Sequence, residues 1–218
     1  MAETLFRQMM SEHDLQGLQD GQDCEGPVKS CQSINPENPV QDVLEAGAEW
    51  AKGKLGDLIV VKYGKDHKKL LDGKIPVFGS EGIMRYADKA LFDKETVLIP
   101  RKGSLSNVLY IDEPFWIVDT MFYTEMKRPN LAKFIYHFVK GLDMTSMNVG
   151  SAVPSMTTEV LNNITLNIPT DCSLMKFEMA VTPLYKKVKI NNNQIRTLTA
   201  LRDTLLPKLM SGEVRVEV

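Results

Sequence analysis

The stretch from Leu174 to Met210 constrains this chain more than any other. Apolar residues fall at Phe177, Val181, Leu184, Val188, Ile195, Leu198, Leu205 and Leu209. Steps of four and three alternate, with Asn191 filling one seam position and Arg202, beside Leu201, another. This is a heptad seam, and it predicts a long helix that coils against another helix. A polar seam residue such as Asn191 weakens the contact but fixes its register. The competing reading is one amphipathic helix packed on its own domain, although the stripe is narrow and long for that. Gly212 is a fair C-terminal stop, and Lys208 suits the negative helix end. Two prolines complicate the helix. Pro183 removes a backbone bond, so it should kink the helix or mark its real start, and Pro207 should disturb the last turn.

The rest of the chain divides around that arm. Residues 1–10 resemble the last turns of a helix, with Leu5, Phe6, Met9 and Met10 on one side. Residues 11–49 are polar and rich in glycine and proline, which predicts a flexible linker. A short helix could lie within Pro39–Lys54. The head is expected over 50–172, the arm over 173–211 and a tail over 212–218. In the head, strands are expected at Leu58–Tyr63, Ile75–Phe78, Thr96–Ile99, Asn107–Ile111, Phe115–Thr120, Met121–Glu125 and Val160–Ile168. A helix is expected at Leu131–Gly141, with Asn130 as its N-cap. Strands outnumber helices, so the fold class is α+β, a mixed globular head followed by a long C-terminal coiled-coil helix.

The net charge of −2 favours no partner, but its distribution is uneven. Residues 1–50 hold 2 basic and 10 acidic side chains, whereas residues 51–102 hold 12 and 7. Hydrophobic residues at 43% and charged residues at 25% allow a packed core. Cys24 and Cys31 lie too far apart for a zinc knuckle, and three cysteines make no disulfide framework, so they read as free thiols. The N-terminus has no secretory pattern and no apolar run approaches membrane-spanning length, so a soluble, cytoplasmic protein with no membrane partner is expected.

Catalytic patterns are missing. There is no phosphate loop, no dinucleotide-binding turn and no nucleophile elbow. His13, His67 and His137 have no metal-ligand spacing, and His137 reads as a packed or surface residue. Asp112 and Glu113 fit a turn before Pro114 better than a catalytic pair. No catalytic residue and no metal ligand is therefore assigned. What remains is a binding surface. Lys62, Lys65, Lys68 and Lys69, with Tyr63 and His67 among them, form one basic loop. Arg101 and Lys102 form a second, next to Gly103, Ser104, Ser106 and Asn107. Glycine and serine beside arginine and lysine let backbone N–H groups approach phosphate while long side chains reach base edges. A solvated lysine-rich turn explains the first loop as well; the second is harder to dismiss.

Five segments occur in a set order: Ile75-Pro-Val-Phe-Gly-Ser-Glu-Gly-Ile83, Val97-Leu-Ile-Pro-Arg-Lys-Gly-Ser104, Pro114-Phe-Trp-Ile-Val-Asp-Thr120, Gly150-Ser-Ala-Val-Pro-Ser155 and Leu201-Arg-Asp-Thr-Leu-Leu-Pro-Lys-Leu-Met-Ser-Gly-Glu213. Together they resemble the specificity (S) subunit of type I restriction–modification systems, over residues 50–216. A full member has two target-recognition domains and two long helices; this chain resembles half of one. The resemblance implies a non-catalytic subunit of a prokaryotic cytoplasmic complex, which reads one half of a split site in double-stranded DNA. It implies a spacer helix that pairs with a second copy or another S chain. It also implies a modification (methyltransferase) subunit using S-adenosylmethionine and a restriction subunit using ATP and magnesium, so no cofactor belongs to this chain. By position, the DNA-facing residues would be Lys62, Tyr63, Lys65, His67, Lys68 and Lys69, the Gly79–Ser80–Glu81 turn, and Arg101, Lys102, Ser104 and Asn107, with Ser151 and Ser155 weaker. Phe115, Trp116 and Phe138 would be core. A non-DNA interaction adaptor or a silent, recombinational cassette copy is the alternative.

Overall fold

The computed structural model describes residues 1–7, 50–144 and 155–214. The expected linker and Ser151 lie outside the described residues. Helix α1 covers residues 2–7. Strand β1 (Ala51–Lys54) leads into α2 (Leu55–Leu58), a single turn whose entry is held by the Lys54 N–H donating to Asp57 Oδ2 at 2.8 Å. Then come β2 (Ile59–Tyr63), β3 (Asp72–Gly79), β4 (Gly82–Ala87), β5 (Thr96–Pro100), β6 (Leu109–Ile111), β7 (Trp116–Ile117) and β8 (Met121–Met126). Helix α3 (Ala132–Lys140), helix α4 (Thr158–Asn162), β9 (Thr165–Ile168) and helix α5 (Asp171–Met210) complete the order.

Three sheets result. β2-β8-β5-β6 is antiparallel throughout; β4-β3-β7 pairs β3 with β7 in parallel; β1 pairs with β9, which ties the head's first strand to its last. β5 is buried along its whole length, which is why Thr-Val-Leu-Ile-Pro shows no polar alternation. Pro100 is tolerated because β6 pairs only with Thr96, Val97 and Leu98. The one polar side chain in β5 is matched across the sheet. Thr96 Oγ1 donates to the Thr124 carbonyl at 2.7 Å, and Thr124 Oγ1 donates to the Val97 carbonyl at 3.0 Å. Buried hydroxyls so paired escape the cost of desolvation.

The main core brings together Phe6 of α1, Leu55 and Leu58 of α2, Phe122 of β8, Phe134 and Phe138 of α3, and Leu174, Phe177 and Val181 of α5. A second cluster, with Phe78, Phe115 and Tyr123, joins the two larger sheets. Phe115 and Phe138 are core, while Trp116 is half-buried and packs beside Val77 and Val118.

Four expectations need correction. Residues 51–54 form β1 rather than the end of a helix. The expected strand at Val160–Ile168 begins as helix, because Thr157 caps α4 by accepting from the Val160 N–H, and only Thr165–Ile168 is extended. Asn130 does not cap α3; it takes a φ of 59°, a left-handed conformation that asparagine tolerates, and Leu131 is the cap. Finally, α5 runs unbroken for 40 residues with Pro183 and Pro207 inside it. Thr170 opens it by accepting from the Ser173 N–H, and it closes in a Schellman turn. The N–H groups of Gly212 (φ 77°) and Glu213 reach the carbonyls of Leu209 and Lys208.

Candidate nucleic-acid interface

The first basic loop leaves β2 at Tyr63 and folds back onto the β7–β8 turn. The Gly64 N–H donates to the Met121 carbonyl at 3.2 Å, and the Lys65 N–H to the Ile117 carbonyl at 3.0 Å. A Cβ on Gly64 would lie 2.0 Å from the Val118 carbonyl oxygen, so only glycine allows that approach. Trp116 Nε1 donates to the Lys65 carbonyl at 3.1 Å. Asp66 accepts the Lys68 N–H at 3.0 Å, and this bond holds the Asp66 carboxyl below its ordinary value.

The second loop is pinned to the same turn. The Arg101 N–H donates to the Thr120 carbonyl at 2.8 Å and its guanidinium to the Asp119 carbonyl at 3.1 Å. That guanidinium also lies 5.3 Å from the centre of the Tyr63 ring. Gly103 has a φ of 88°, and a Cβ there would lie 3.3 Å from Ser80 Oγ. Asn107 Nδ2 donates to the Ser80 carbonyl at 2.8 Å, so this side chain clamps the β3–β4 turn.

The first basic loop, the β3–β4 turn and the β7–β8 turn surround one open cavity of about 520 Å³, lined by Asp66, His67, Lys68, Ser80, Glu81 and Asp119 among others, and the second basic loop is bonded to the latter two turns. Of the residues singled out from sequence, His67, Lys68, Gly79, Ser80 and Glu81 line the cavity, and the Lys65 backbone braces the loop; Tyr63, Arg101 and Asn107 do not line it but touch its wall indirectly, Arg101 through Asp119 and Tyr63, and Asn107 through Ser80. Others do not converge. Lys62 stands on the opposite face of β2 from Tyr63, by strand alternation. Lys69, Lys102 and Ser104 are exposed and do not line the cavity; Lys102 pairs with Ser155 in an isolated bridge. Asp66, Asp119 and Thr120 line the cavity without having been singled out. Their signal was weak: one acid within a lysine run, and a polar pair at the break between two strands. No group of three or more metal-ligating side chains occurs among the described residues, and no helix there is long and apolar enough to cross a membrane.

The seam of α5 divides in two. Phe177 and Val181 are 1% and 0% exposed, covered by the head, so they are not free to meet another helix. Leu184 is half-buried. Val188, Asn191, Ile195, Leu198 and Leu205 are exposed, with Ile195 at 61% and Leu198 at 64%. The reading of a helix packed on its own domain holds for the seam as far as Leu184 and fails for the seam residues beyond it, although Tyr185 and Lys189 still bond the head.

Where the helix meets the head, Lys133 of α3 is buried and hydrogen-bonded to Glu178 of α5, with Glu95 3.6 Å away. Tyr110 and Tyr185 flank its ammonium at 5.4 and 5.6 Å. Tyr185 Oη lies 3.0 Å from His137 Nε2, and burial holds the His137 imidazole down at a pKa of about 4. Further along, Lys189 pairs with Asp112 at 3.0 Å.

Comparison with known proteins points one way. Residues 47–200 match the family described as type I restriction modification DNA specificity domain. The chain is 30% identical over 154 residues to the type I restriction enzyme MjaIX specificity subunit of Methanocaldococcus jannaschii, covering 70% of this chain and 32% of that one. It is 26% identical over 92 residues to the HindI specificity subunit of Haemophilus influenzae, covering 42% and 18%. The crystal structure of the type I restriction–modification S subunit from M. genitalium shares the fold, with a TM-score of 0.65 at 19% identity, over 95% of this chain and 55% of that one. The chain thus spans about a third or less of the curated relatives it matches. With its mixed sheets, its long C-terminal helix and its matched residues, this chain belongs to the type I restriction modification DNA specificity domain family.

Proposed function

We propose that this chain is the DNA-reading part of a type I restriction–modification specificity subunit, recognising one half of a bipartite site without catalysing a reaction. The observation that carries the reading is the convergence of the first basic loop and the β3–β4 and β7–β8 turns on one cavity, with Arg101, over the Tyr63 ring, bonded to the carbonyl of its wall residue Asp119. Stacked arginine and exposed lysine neutralise phosphate, while the cavity walls offer polar groups to base edges. The bare half of α5 serves as the spacer. Its exposed Val188, Ile195, Leu198 and Leu205 pair with a second copy or another specificity helix, and this rod docks the methyltransferase subunit.

Fluorescence anisotropy with labelled duplex DNA tests this reading. Affinity should fall with salt with a log–log slope of about 4–8, as expected for a comparable number of neutralised phosphates. Replacing Arg101 and Lys102 together by alanine should weaken binding and flatten the slope. Binding that ignores both salt and the double substitution would remove the DNA-reading role.

A further inference from the structure

We infer that Glu81 reads a base, its carboxylate accepting a hydrogen bond from the exocyclic amino group of cytosine in the major groove. This rests on the DNA-reading role proposed above and names one residue and one base for it. Glu81 sits at the tip of the β3–β4 hairpin, where Gly79 pairs with Gly82 and only Ser80 and Glu81 form the loop. A two-stranded ribbon of this kind fits the major groove. The tip is fixed on two sides. Asn107 holds the Ser80 carbonyl at 2.8 Å, and Gly103 leaves room for Ser80 Oγ where a side chain would crowd it. The Val118 N–H, donating to the Phe78 carbonyl at 3.1 Å, anchors the strand beneath.

The charge pattern supplies the second line of argument. Glu81 shares its cavity with His67 and Lys68, yet its carboxylate has no ion pair or hydrogen bond among the described residues. Against a phosphate backbone an unpaired carboxylate is repulsive, so on a DNA-facing tip it suits contact with a base amino group. The neighbouring acids are differently placed. Asp66 is occupied by the Lys68 N–H of its own loop, and Asp119, although its carboxylate is unpaired too among the described residues, is shorter by one methylene and has its backbone carbonyl tied to Arg101 in the β7–β8 turn rather than at a hairpin tip. Of the acids lining this cavity, only Glu81 combines a hairpin-tip position, a long side chain and a free carboxylate.

Selection from randomised duplex DNA by the full chain, followed by sequencing, tests the assignment. The unaltered chain should enrich a motif with cytosine at one fixed position. Glu81→Ala should lose about 5- to 150-fold of the discrimination there, the range of one good side-chain–base pair, and keep the remaining positions. Glu81→Gln should move that position towards adenine, whose N6 and N7 suit an amide. An unchanged motif in Glu81→Ala would overturn the assignment while leaving DNA reading intact. So would an equal gain in affinity for every sequence, which would make Glu81 a repulsive rim charge. No motif in the unaltered chain would instead overturn the DNA-reading role, and this assignment with it.

Discussion

The guanidinium of Arg101 lies 5.3 Å from the centre of the Tyr63 ring, although one residue follows β5 and the other ends β2. Together with its bond to the Asp119 carbonyl, this contact fixes the plane of the side chain. Cation–π pairs at exposed sites contribute about 0.5–1 kcal/mol. Tyr63→Leu is therefore predicted to weaken DNA binding by roughly two- to fivefold. Tyr63→Phe, which keeps the ring face, should bind as the parent does. Anisotropy titrations at one fixed salt concentration distinguish the two; equal loss in both would show that the hydroxyl, not the ring, matters.

The Lys133–Glu178 pair joins α3 to α5, with side chains only 5% and 18% exposed. Removing Glu178 leaves the buried Lys133 ammonium with only the half-exposed Glu95 carboxylate 3.6 Å away, so the cost should approach the roughly 3–5 kcal/mol typical of a buried charge stripped of its partner. Glu178→Leu alone should be strongly destabilising in urea unfolding. The double change Lys133→Met with Glu178→Leu should recover most of that loss, because apolar replacements of similar size are often neutral. No recovery in the double variant would mean that the ions themselves hold the helix.

His137 makes stability depend on pH. Burial lowers its pKa to about 4 in the folded chain, with Lys140 adding to the effect, against an ordinary value of 6.5. The unfolded chain thus binds the proton more readily. The contribution is fully present above pH 6.5 and is lost as pH falls from 6.5 towards 4. Denaturation midpoints measured across this window should decline, and His137→Phe should flatten the decline. A slope unchanged by the substitution would assign the effect to other groups.

Phe177 and Leu198 both occupy the heptad seam, but their substitutions should fail in different assays. Phe177→Ala empties a core position and should cost about 3–5 kcal/mol, lowering the melting temperature at any protein concentration. Leu198→Asp should leave the head's melting intact and abolish self-association in light scattering. A parent chain that remains monomeric at high concentration would refute pairing through this stripe between identical copies.

The seam shows how far periodicity carries. It located the helix from Leu174 to Met210 and its stop at Gly212, because spacing and capping are local properties. It could not separate Phe177 from Leu198, since both are apolar residues on one stripe and only the head's shape decides which is covered. β4 escaped notice because Gly82–Ala87 carries exposed Ile83, Met84 and Tyr86 instead of a buried alternation. At the candidate face, the lysines and Arg101 are visible as charge, whereas the clamp from Asn107 to Ser80 joins residues 27 positions apart. Such a long-range bond leaves no trace in spacing. Asp119 stayed hidden for the same reason, as it becomes part of the face only when Arg101 folds onto its carbonyl.

Pro183 lies between Val181, the last residue of α5 sunk in the head, and Val188, the first bare one on the stripe. With no amide hydrogen to give, it leaves one rung missing in the helical ladder, and such positions are where helices bend. From there to Met210 the rod extends about 40 Å at 1.5 Å per residue. Each 10° of bend at that joint would swing the far tip by roughly 7 Å, about two base-pair steps along a duplex, so a spacer of the kind proposed above would take its calibration from a single imino acid.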